Sequence, residues 1–336
     1  MNSIVSPRIA IVGAGAIGIT LAARLAKAGH RVSVLARGEA LAAIEHRGVE
    51  LNDMQGHHSA RVTVSDQSAD LGIQDIVLLC TKAHAVPELL PALSPLFGVH
   101  TWLVPLLNGT PWWLFMGSSE TVDHVEAVDP GGHLIGQRPA ECILGCVVYI
   151  TARLEAPGRA VSTTPHRLVL GEIASLSPER QRRLGEVVEV LTSSGVETLH
   201  TPRIRDAVWS KIAANLSSNP LSVITRTTLD TLYSHPWLQK VVEALYEETR
   251  LTAQAHGSQL EITLQELLEI GTAMRGVKTS MLQDYQRERP LELTAIVEGV
   301  IELADRKRIA VPVTRTIVYL THYLESAAHR QREQTS

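Results

Sequence analysis

Residues 8–37 read RIAIVGAGAIGITLAARLAKAGHRVSVLAR, and this stretch decides the fold. An apolar run, Ile9 to Val12, stops at Gly13-Ala14-Gly15-Ala16-Ile17-Gly18. An Ala/Leu-rich segment with helical spacing follows, and then a second apolar run, Val32 to Leu35. That order predicts strand, glycine turn, helix, strand, the opening of a dinucleotide-binding unit. Each glycine has its own task. Gly13 permits the sharp turn, Gly15 lets backbone approach a pyrophosphate, and Gly18 lets the helix pack against the strand. The phosphates would sit on N–H groups that the first helical turn leaves without intrahelical partners, and Ala14, Ala16 and Ile17 contribute backbone to the same turn. Arg24 and Lys27 interrupt the apolar run, so the stretch does not read as a secretory signal peptide.

The end of the second strand chooses the cofactor. Folds that prefer NAD place an acid there for the ribose 2′-hydroxyl, and folds that prefer NADP supply a cation. This chain has Ala36-Arg37-Gly38. A guanidinium at Arg37 can fork onto a 2′-phosphate, which predicts NADP(H). An ordinary solvated arginine is the alternative, and Glu39 still offers a carboxylate to a ribose.

With 336 residues the chain has room for two domains, and 45% hydrophobic with 20% charged residues describes a soluble globular protein. A net charge of −4 leaves no electrostatic footprint for nucleic acid, and Arg306-Lys307-Arg308 reads as a solvated face. No apolar stretch is long enough to cross a bilayer, so a cytoplasmic location without membrane attachment is expected. Cys80, Cys142 and Cys146 form no CxxC pair, which suits a reducing compartment. The histidines, His57-His58 included, lack metal-site spacing, so no metal is expected.

Working outward, Glu39 to Arg47 reads as a short helix and Val49 to Val64 as extended segments around a polar turn, Asn52 to His58. Asp75 to Cys80 reads as a buried strand ending at Thr81-Lys82-Ala83, on the carboxyl edge where open α/β sheets bind ligands. Lys82 is either a cofactor or substrate contact or simply a lysine at a helix start. Pro87 to Leu96 reads as a helix and Thr101 to Leu107 as a strand. By the same edge argument the Asn108 that follows points toward the nicotinamide region, although Asn108-Gly109 is equally natural as a tight turn. Pro111-Trp112-Trp113-Leu114-Phe115 opens a long excursion to Pro139, which reads as a substrate lid or a packed subunit interface. Strands are expected at Ile143 to Ile150, Arg159 to Thr163 and Arg167 to Leu170, then a helix from Ser177 to Thr192 and a strand from Val196 to Leu199.

The boundary falls near Thr201-Pro202. The expected fold class is α/β, with a Rossmann-type dinucleotide-binding domain over 1–201 followed by an all-helical substrate domain over 202–336. In DAVWSKIAANLSSNPLSVITR, Asp206 to Arg226, the residues Lys211, Asn215 and Asn219 recur every four positions and share one helix face. Asparagine has poor helix propensity and gains nothing inside a helix unless its amide is used. Pro220 is expected to kink the segment. A solvent-facing polar stripe is the alternative. Ser280 with Gln283 fits a capping box, and Glu292 after Pro290 fits the first turn of a helix. The apolar stretch Val313 to Leu324 suits either a core or a homodimer interface.

Taken together, the glycine turn, Thr81-Lys82-Ala83, Asn108-Gly109, WSKIAANLSSNPLSVIT and KTSMLQDYQRERPLE resemble the ketopantoate reductase (2-dehydropantoate 2-reductase) family over essentially the whole chain. The resemblance implies NADPH-dependent reduction of 2-dehydropantoate to pantoate in the cytoplasm, on the route to pantothenate and coenzyme A. It implies that Lys211 is the catalytic lysine and that Lys82 and Asn108 are cofactor and active-site contacts. It further implies that Asn215, Asn219, Ser280 and Glu292 bind a small 2-oxo acid and that Arg37 holds the 2′-phosphate. The chain departs from the family pattern at Leu107, where glutamine is usual, and at Thr294 and Val297-Glu298, where an aspartate and an Asn-Gly pair are usual. Two rival readings stand beside this one, the first favoured by the departures around Thr294 to Glu298 and the second by the fact that a Rossmann half specifies binding and not chemistry. One is a reductase of another 2-oxo acid or imine; the other is a nucleotide sensor without chemistry.

Overall fold

Strand β1 (Arg8–Val12) is buried at every position after its first, and it lies at the centre of a parallel sheet. A strand covered on both faces needs an unbroken apolar run rather than alternation, which is why Ile9 to Val12 carries no polar residue. The computed structural model describes residues 6–118 and 124–333, and these fall into two compact units. The first holds 6–107, 113–118 and 133–204; the second holds 108–112, 124–132 and 205–333.

In the first unit β1 leads through the glycine turn into α1 (Ala16–Lys27), then β2 (Arg31–Leu35), α2 (Gly38–Arg47), β3 (Val49–Asp53), β4 (Gly56–Ala60), β5 (Thr63–Ser65), α3 (Ser68–Leu71), β6 (Gln74–Leu79), α4 (Val86–Ala92) and β7 (Phe97–Pro105). The parallel sheet has the order β5-β2-β1-β6-β7. The polar turn expected over Asn52 to His58 is tighter than its composition suggests: Asn52 pairs with His57 and Asp53 with Gly56, so only Met54 and Gln55 lie between the paired residues. Helix α4 stops at Ala92, short of the expected Leu96: Pro95 has no N–H to give to the α-helical ladder, and a short 3₁₀ turn, Ser94–Leu96, takes over.

The chain continues with β8 (Leu144–Tyr149), β9 (Ala152–Ala156), β10 (Arg159–Ser162), β11 (Arg167–Glu172), α5 (Pro178–Ser193) and β12 (Glu197–His200). Two smaller sheets result, β4-β3-β10-β9 and β12-β11-β8. The outer strand β9 has no counterpart in the sequence reading. Strand β7 is the last strand of the parallel sheet, and arginines donate to three carbonyls in its first half, ahead of a bridge from Leu103 to Ile143. Arg138 donates to Thr101 O at 2.9 Å, Arg180 to Val99 O at 3.1 Å and Arg183 to His100 O at 2.9 Å. Charged side chains at a sheet edge discourage pairing with another chain.

The aromatic residues that open the excursion are packed into the chain itself, so they offer no exposed surface to a substrate or a second subunit. Trp112, Trp113, Leu114 and Phe115 are all buried within this chain. Gly145 makes the room for Trp113, since a Cβ there would come within 2.6 Å of its ring. Residues 119–123 of that stretch lie outside the described residues.

The second unit is helical among its described residues. It comprises α6 (Ile204–Thr225, whose first residue belongs to the first unit), α7 (Leu229–Ser234), α8 (Pro236–Ala255), α9 (Leu264–Ala273), α10 (Ser280–Gln286), a π-helical turn over Thr294–Glu298, α11 (Gly299–Arg306) and α12 (Pro312–Glu333). On α12 the residues Thr314, Ile317, Val318 and Thr321 face the core, while Tyr319, Leu320 and Tyr323 are exposed. The Val313 to Leu324 stretch is therefore core on one face only. Among the described residues no helix is long and apolar enough to cross a membrane.

A buried polar network fixes α1 to the small sheets. Arg24 Nη2 lies 2.5 Å from Asp53 Oδ2, His58 Nε2 lies 2.9 Å from Asp53 Oδ1, and Gln55 N–H donates to the same oxygen at 2.8 Å. Burial raises the Asp53 carboxyl, but the Gln55 N–H, His58 and Arg24 outweigh it and hold the group below its ordinary value. His166, 2.9 Å from Ser162 Oγ, is pushed below the ordinary histidine value by burial and then by Arg24. A histidine lowered in the folded state contributes stability that is complete above about pH 6.5 and lost as pH falls toward its folded value. Acidification from about pH 7.5 to about pH 5.5 should therefore lower the urea midpoint, and His166→Gln should flatten that slope. An unchanged slope in the variant would assign the loss to other groups.

Candidate active site

The glycine turn leaves room in two directions. Gly13 has φ +105, and a Cβ on it would fall 2.8 Å from Thr81 Cγ2 and 3.1 Å from Cys80 O, so protein packing alone excludes a side chain there. At Gly15 the nearest protein atom to such a Cβ is 3.9 Å away, which is ordinary contact. The space beside Gly15 is thus not needed by the protein itself and suits a ligand. Gly15 caps α1 with no side-chain hydrogen bond, and no acid stands in the first helical turn, which leaves the positive end of the helix for an anion. These residues fit a dinucleotide pyrophosphate.

Thr81, adjoining that turn, has a buried hydroxyl with no hydrogen-bond partner. The sequence reading passed over it as one member of a motif. A buried polar atom without a partner is costly unless a ligand or water completes it. Burial pushes the neighbouring Cys80 thiol up, so that cysteine is no nucleophile. Lys82 is exposed and caps the 3₁₀ turn Ala83–Ala85. Arg37 is exposed at the N-cap of α2 and forms no ion pair with a described carboxylate, whereas Glu39 occupies the first turn of α2, where the helix dipole accounts for an acid.

Asn108, Lys211, Asn215, Asn219, Ser280 and Glu292 all fall in the second unit. Lys211, Asn215 and Asn219 lie along one face of α6, Lys211 and Asn215 half-buried and Asn219 buried. The helix does not end at Pro220 but runs on to Thr225. Its hydroxyls are turned inward and satisfied locally: Ser217 Oγ donates to Ala213 O and Ser218 Oγ to Ala214 O, each at 2.7 Å. Asn215 Nδ2, by contrast, is buried without a hydrogen-bond partner. On a helix whose neighbouring hydroxyls are all satisfied, this donor is the one that calls for a ligand acceptor.

Two tertiary links join segments that carry expected residues. Ser222 Oγ accepts or donates at 2.6 Å to Thr279 Oγ1, and Thr279 Oγ1 accepts the Leu282 N–H at 3.0 Å. Thr279, not Ser280, is therefore the N-cap of α10. The capping box expected for Ser280 with Gln283 is one residue out of register, and Gln283 instead donates to Lys278 O. Exposed Ser280 opens α10, whose N-cap the Ser222–Thr279 bond ties to α6.

The second link joins the segment that follows Asn108 to the segment that follows Glu292. Gly109 has φ +79, and a Cβ on it would meet Ala295 O at 2.4 Å; the next N–H, of Thr110, donates to Ala295 O at 2.7 Å. Ala295 O thus takes a donor from outside its own helix, in a segment that winds as a π-helix, a feature common at functional sites. Glu292 lies just ahead of this turn rather than in the first turn of an α-helix, and it is 8% exposed. A groove of about 550 Å³ elsewhere in this unit is lined by Glu126, Glu298, Glu302 and Asp305 among others. Its acidity repels a carboxylate substrate, and none of the expected residues lines it.

The chain matches the family profile "Ketopantoate reductase PanE/ApbA" over residues 9–175 and that of its C-terminal region over 203–325. A curated 2-dehydropantoate 2-reductase from Mesorhizobium japonicum is 35% identical over 299 residues, covering 88% of this chain and 91% of the relative. A crystal structure from Ralstonia solanacearum MolK2, provisionally assigned as a ketopantoate reductase, superposes with a TM-score of 0.88 at 32% identity, covering 96% of this chain and 98% of that one. A D-mandelate dehydrogenase solved with NADH and anilino(oxo)acetate shares the fold, with a TM-score of 0.81 at 22% identity over 95% of this chain and 99% of that one.

Proposed function

Because this chain belongs to the ketopantoate reductase family, we propose that it reduces 2-dehydropantoate to pantoate with NADPH, in the cytoplasm, on the route to pantothenate and coenzyme A. The names of its relatives support an oxidoreductase, and the row on α6, with its unsatisfied Asn215 amide, is the observation that carries the reading. The proposed division of labour follows the sequence: 1–201 for the nucleotide, 202–336 for the substrate and the proton, with Asn108 as the one contribution from the N-terminal part.

Bound NADPH supplies a hydride from C4 of its nicotinamide to the 2-oxo carbon. With Gly13 turning the chain and Gly18 letting α1 pack close, Gly15 and the backbone of Ala14, Ala16 and Ile17 would receive its pyrophosphate; Arg37 would take the 2′-phosphate, and Lys82 would flank the turn. As the carbonyl oxygen gains negative charge, the Lys211 ammonium transfers a proton to it and leaves a hydroxyl on the product. Asn108 orients that lysine or the nicotinamide. Asn215 and Asn219 each donate and accept, which matches a substrate bearing carboxylate and hydroxyl groups. Ser280 donates to the carboxylate, and Glu292 accepts from the terminal hydroxyl.

The departures at Thr294 and Val297-Glu298 favour a second reading, reduction of another 2-oxo acid on the same scaffold. NADPH oxidation across a panel of 2-oxo acids decides between them: 2-dehydropantoate should give the highest kcat/KM, and an acid lacking the terminal hydroxyl should react far more slowly. No oxidation with any acid would leave a nucleotide sensor. The cofactor has its own test, made pertinent by the NADH bound in the D-mandelate dehydrogenase. Arg37→Ala should raise the NADPH KM by roughly 10–100-fold, the loss of a charge-assisted hydrogen bond, and leave the NADH KM unchanged. An unaltered NADPH KM would remove the 2′-phosphate from Arg37.

A further inference from the structure

Glu292 can select a substrate hydroxyl only if the short irregular segment that carries it is held still, and the structure contains a bracket around that segment. On the upstream side, the Leu291 N–H donates to Glu325 Oε1 at 2.9 Å. On the downstream side, Glu292 O accepts the Ile296 N–H at 3.0 Å at the entry to the π-helical turn. The turn ends at Glu298, whose Oε1 lies 2.6 Å from His322 Nε2. The other ring nitrogen of His322 lies 3.8 Å from Glu325 Oε2. One imidazole on α12 therefore faces both carboxylates, one at each end of the segment that carries Glu292.

Resting on the reading of Glu292 as a substrate contact, we infer that Glu325, steered by His322, is a positioning residue that sets the substrate selectivity of Glu292. The side chains of His322, Glu298 and Glu325 are 45%, 37% and 24% exposed. Ion pairs this exposed add little to global stability, so stability does not explain the arrangement. What the carboxylate of Glu325 does is fix one peptide: it takes the N–H of Leu291, immediately before Glu292, where no helical ladder reaches. His322 removes the freedom of Glu325 to swing away. The bracket and the Thr110 contact at Ala295 act on the same few residues from opposite ends of the sequence.

The bracket makes Glu325→Ala and Glu325→Gln informative as a pair. An amide oxygen still accepts the Leu291 N–H, whereas alanine cannot. In Glu325→Ala the KM for 2-dehydropantoate should rise by about tenfold, with kcat changed by less than about threefold and the NADPH KM unchanged; Glu325→Gln should recover most of the loss. Amide hydrogen exchange at Leu291 supplies a readout independent of substrate identity: about tenfold faster in Glu325→Ala and near the wild-type rate in Glu325→Gln. If Glu325→Ala does not fold, His322→Gln takes its place with the same expected direction. Unchanged exchange at Leu291 overturns the bracket. Faster exchange with an unchanged substrate KM overturns its role in selectivity. Wild-type protein inactive on 2-dehydropantoate overturns the functional reading instead, and the exchange arm then decides the bracket by itself.

Discussion

Lys211→Ala should lower kcat for 2-dehydropantoate by roughly 10²–10⁴-fold, the usual contribution of a positioned proton donor, while NADPH binds as before. The expectation rests on where charge develops. Hydride arrival at the 2-oxo carbon converts a neutral oxygen into an alkoxide, and a dry site without a donor has nothing to meet it. Lysine suits the position because its free pKa of roughly 10.4 keeps it cationic at neutral pH. It lies half-buried on a long helix rather than on a loop, so the helix backbone holds it in register with the asparagines below it. Single-turnover reduction with saturating NADPH is the measurement that isolates the chemical step. A variant that retains near wild-type kcat ends the general-acid assignment, and one that loses NADPH affinity as severely as kcat shows a structural defect instead.

Gly109→Ala is the second large effect. Alanine at φ +79 costs about 1–2 kcal/mol in backbone conformation, and its Cβ would need to occupy a point 2.4 Å from Ala295 O and 2.8 Å from Ile296 N. The turn must withdraw, and the Thr110 hydrogen bond to Ala295 O goes with it. Asn108 and the Glu292 segment then lose their common reference. Displacements of about 1 Å in such a reference cost roughly 10²-fold in rate, so kcat should fall by that order, accompanied by a lower melting temperature. Steady-state kinetics and thermal unfolding on the same preparation separate the two. A stable variant with normal kcat would show that the turn and the π-helical segment do not cooperate in catalysis.

The sequence made some of this legible and hid the rest for identifiable reasons. The βαβ opening is written locally: period, glycines and apolar runs all sit within thirty residues, Arg8 to Arg37. The α6 row is equally local, since a helix converts a spacing of four into a shared face. The π-helical turn is not local. Leu291 to Arg306 reads as an ordinary helix start until a donor from Thr110 enters it, and no window of sequence contains both partners. Thr279 and Ser280 differ by one register step in a motif that either satisfies, and the deciding partner, Ser222, is remote in sequence. The tryptophan pair was misread because a turn-rich stretch has no periodicity from which to infer burial. Gly145, which admits Trp113, looks like any other strand glycine. Strand β9, short and carrying charges, pairs through the Pro157-Gly158 hairpin and offers little hydrophobic signal of its own.

Helix α6, uninterrupted across Pro220, works as a ruler on which the amine and two amides are graduation marks that no relaxation of side chains can re-space. A lineage that needed a longer or bulkier oxo acid could not stretch that scale. On the proposed reading it would have to rewrite the segments around 280 and 291–298 instead, and Thr294 and Val297-Glu298, where this chain departs from the pattern it resembles, fall in the second of these.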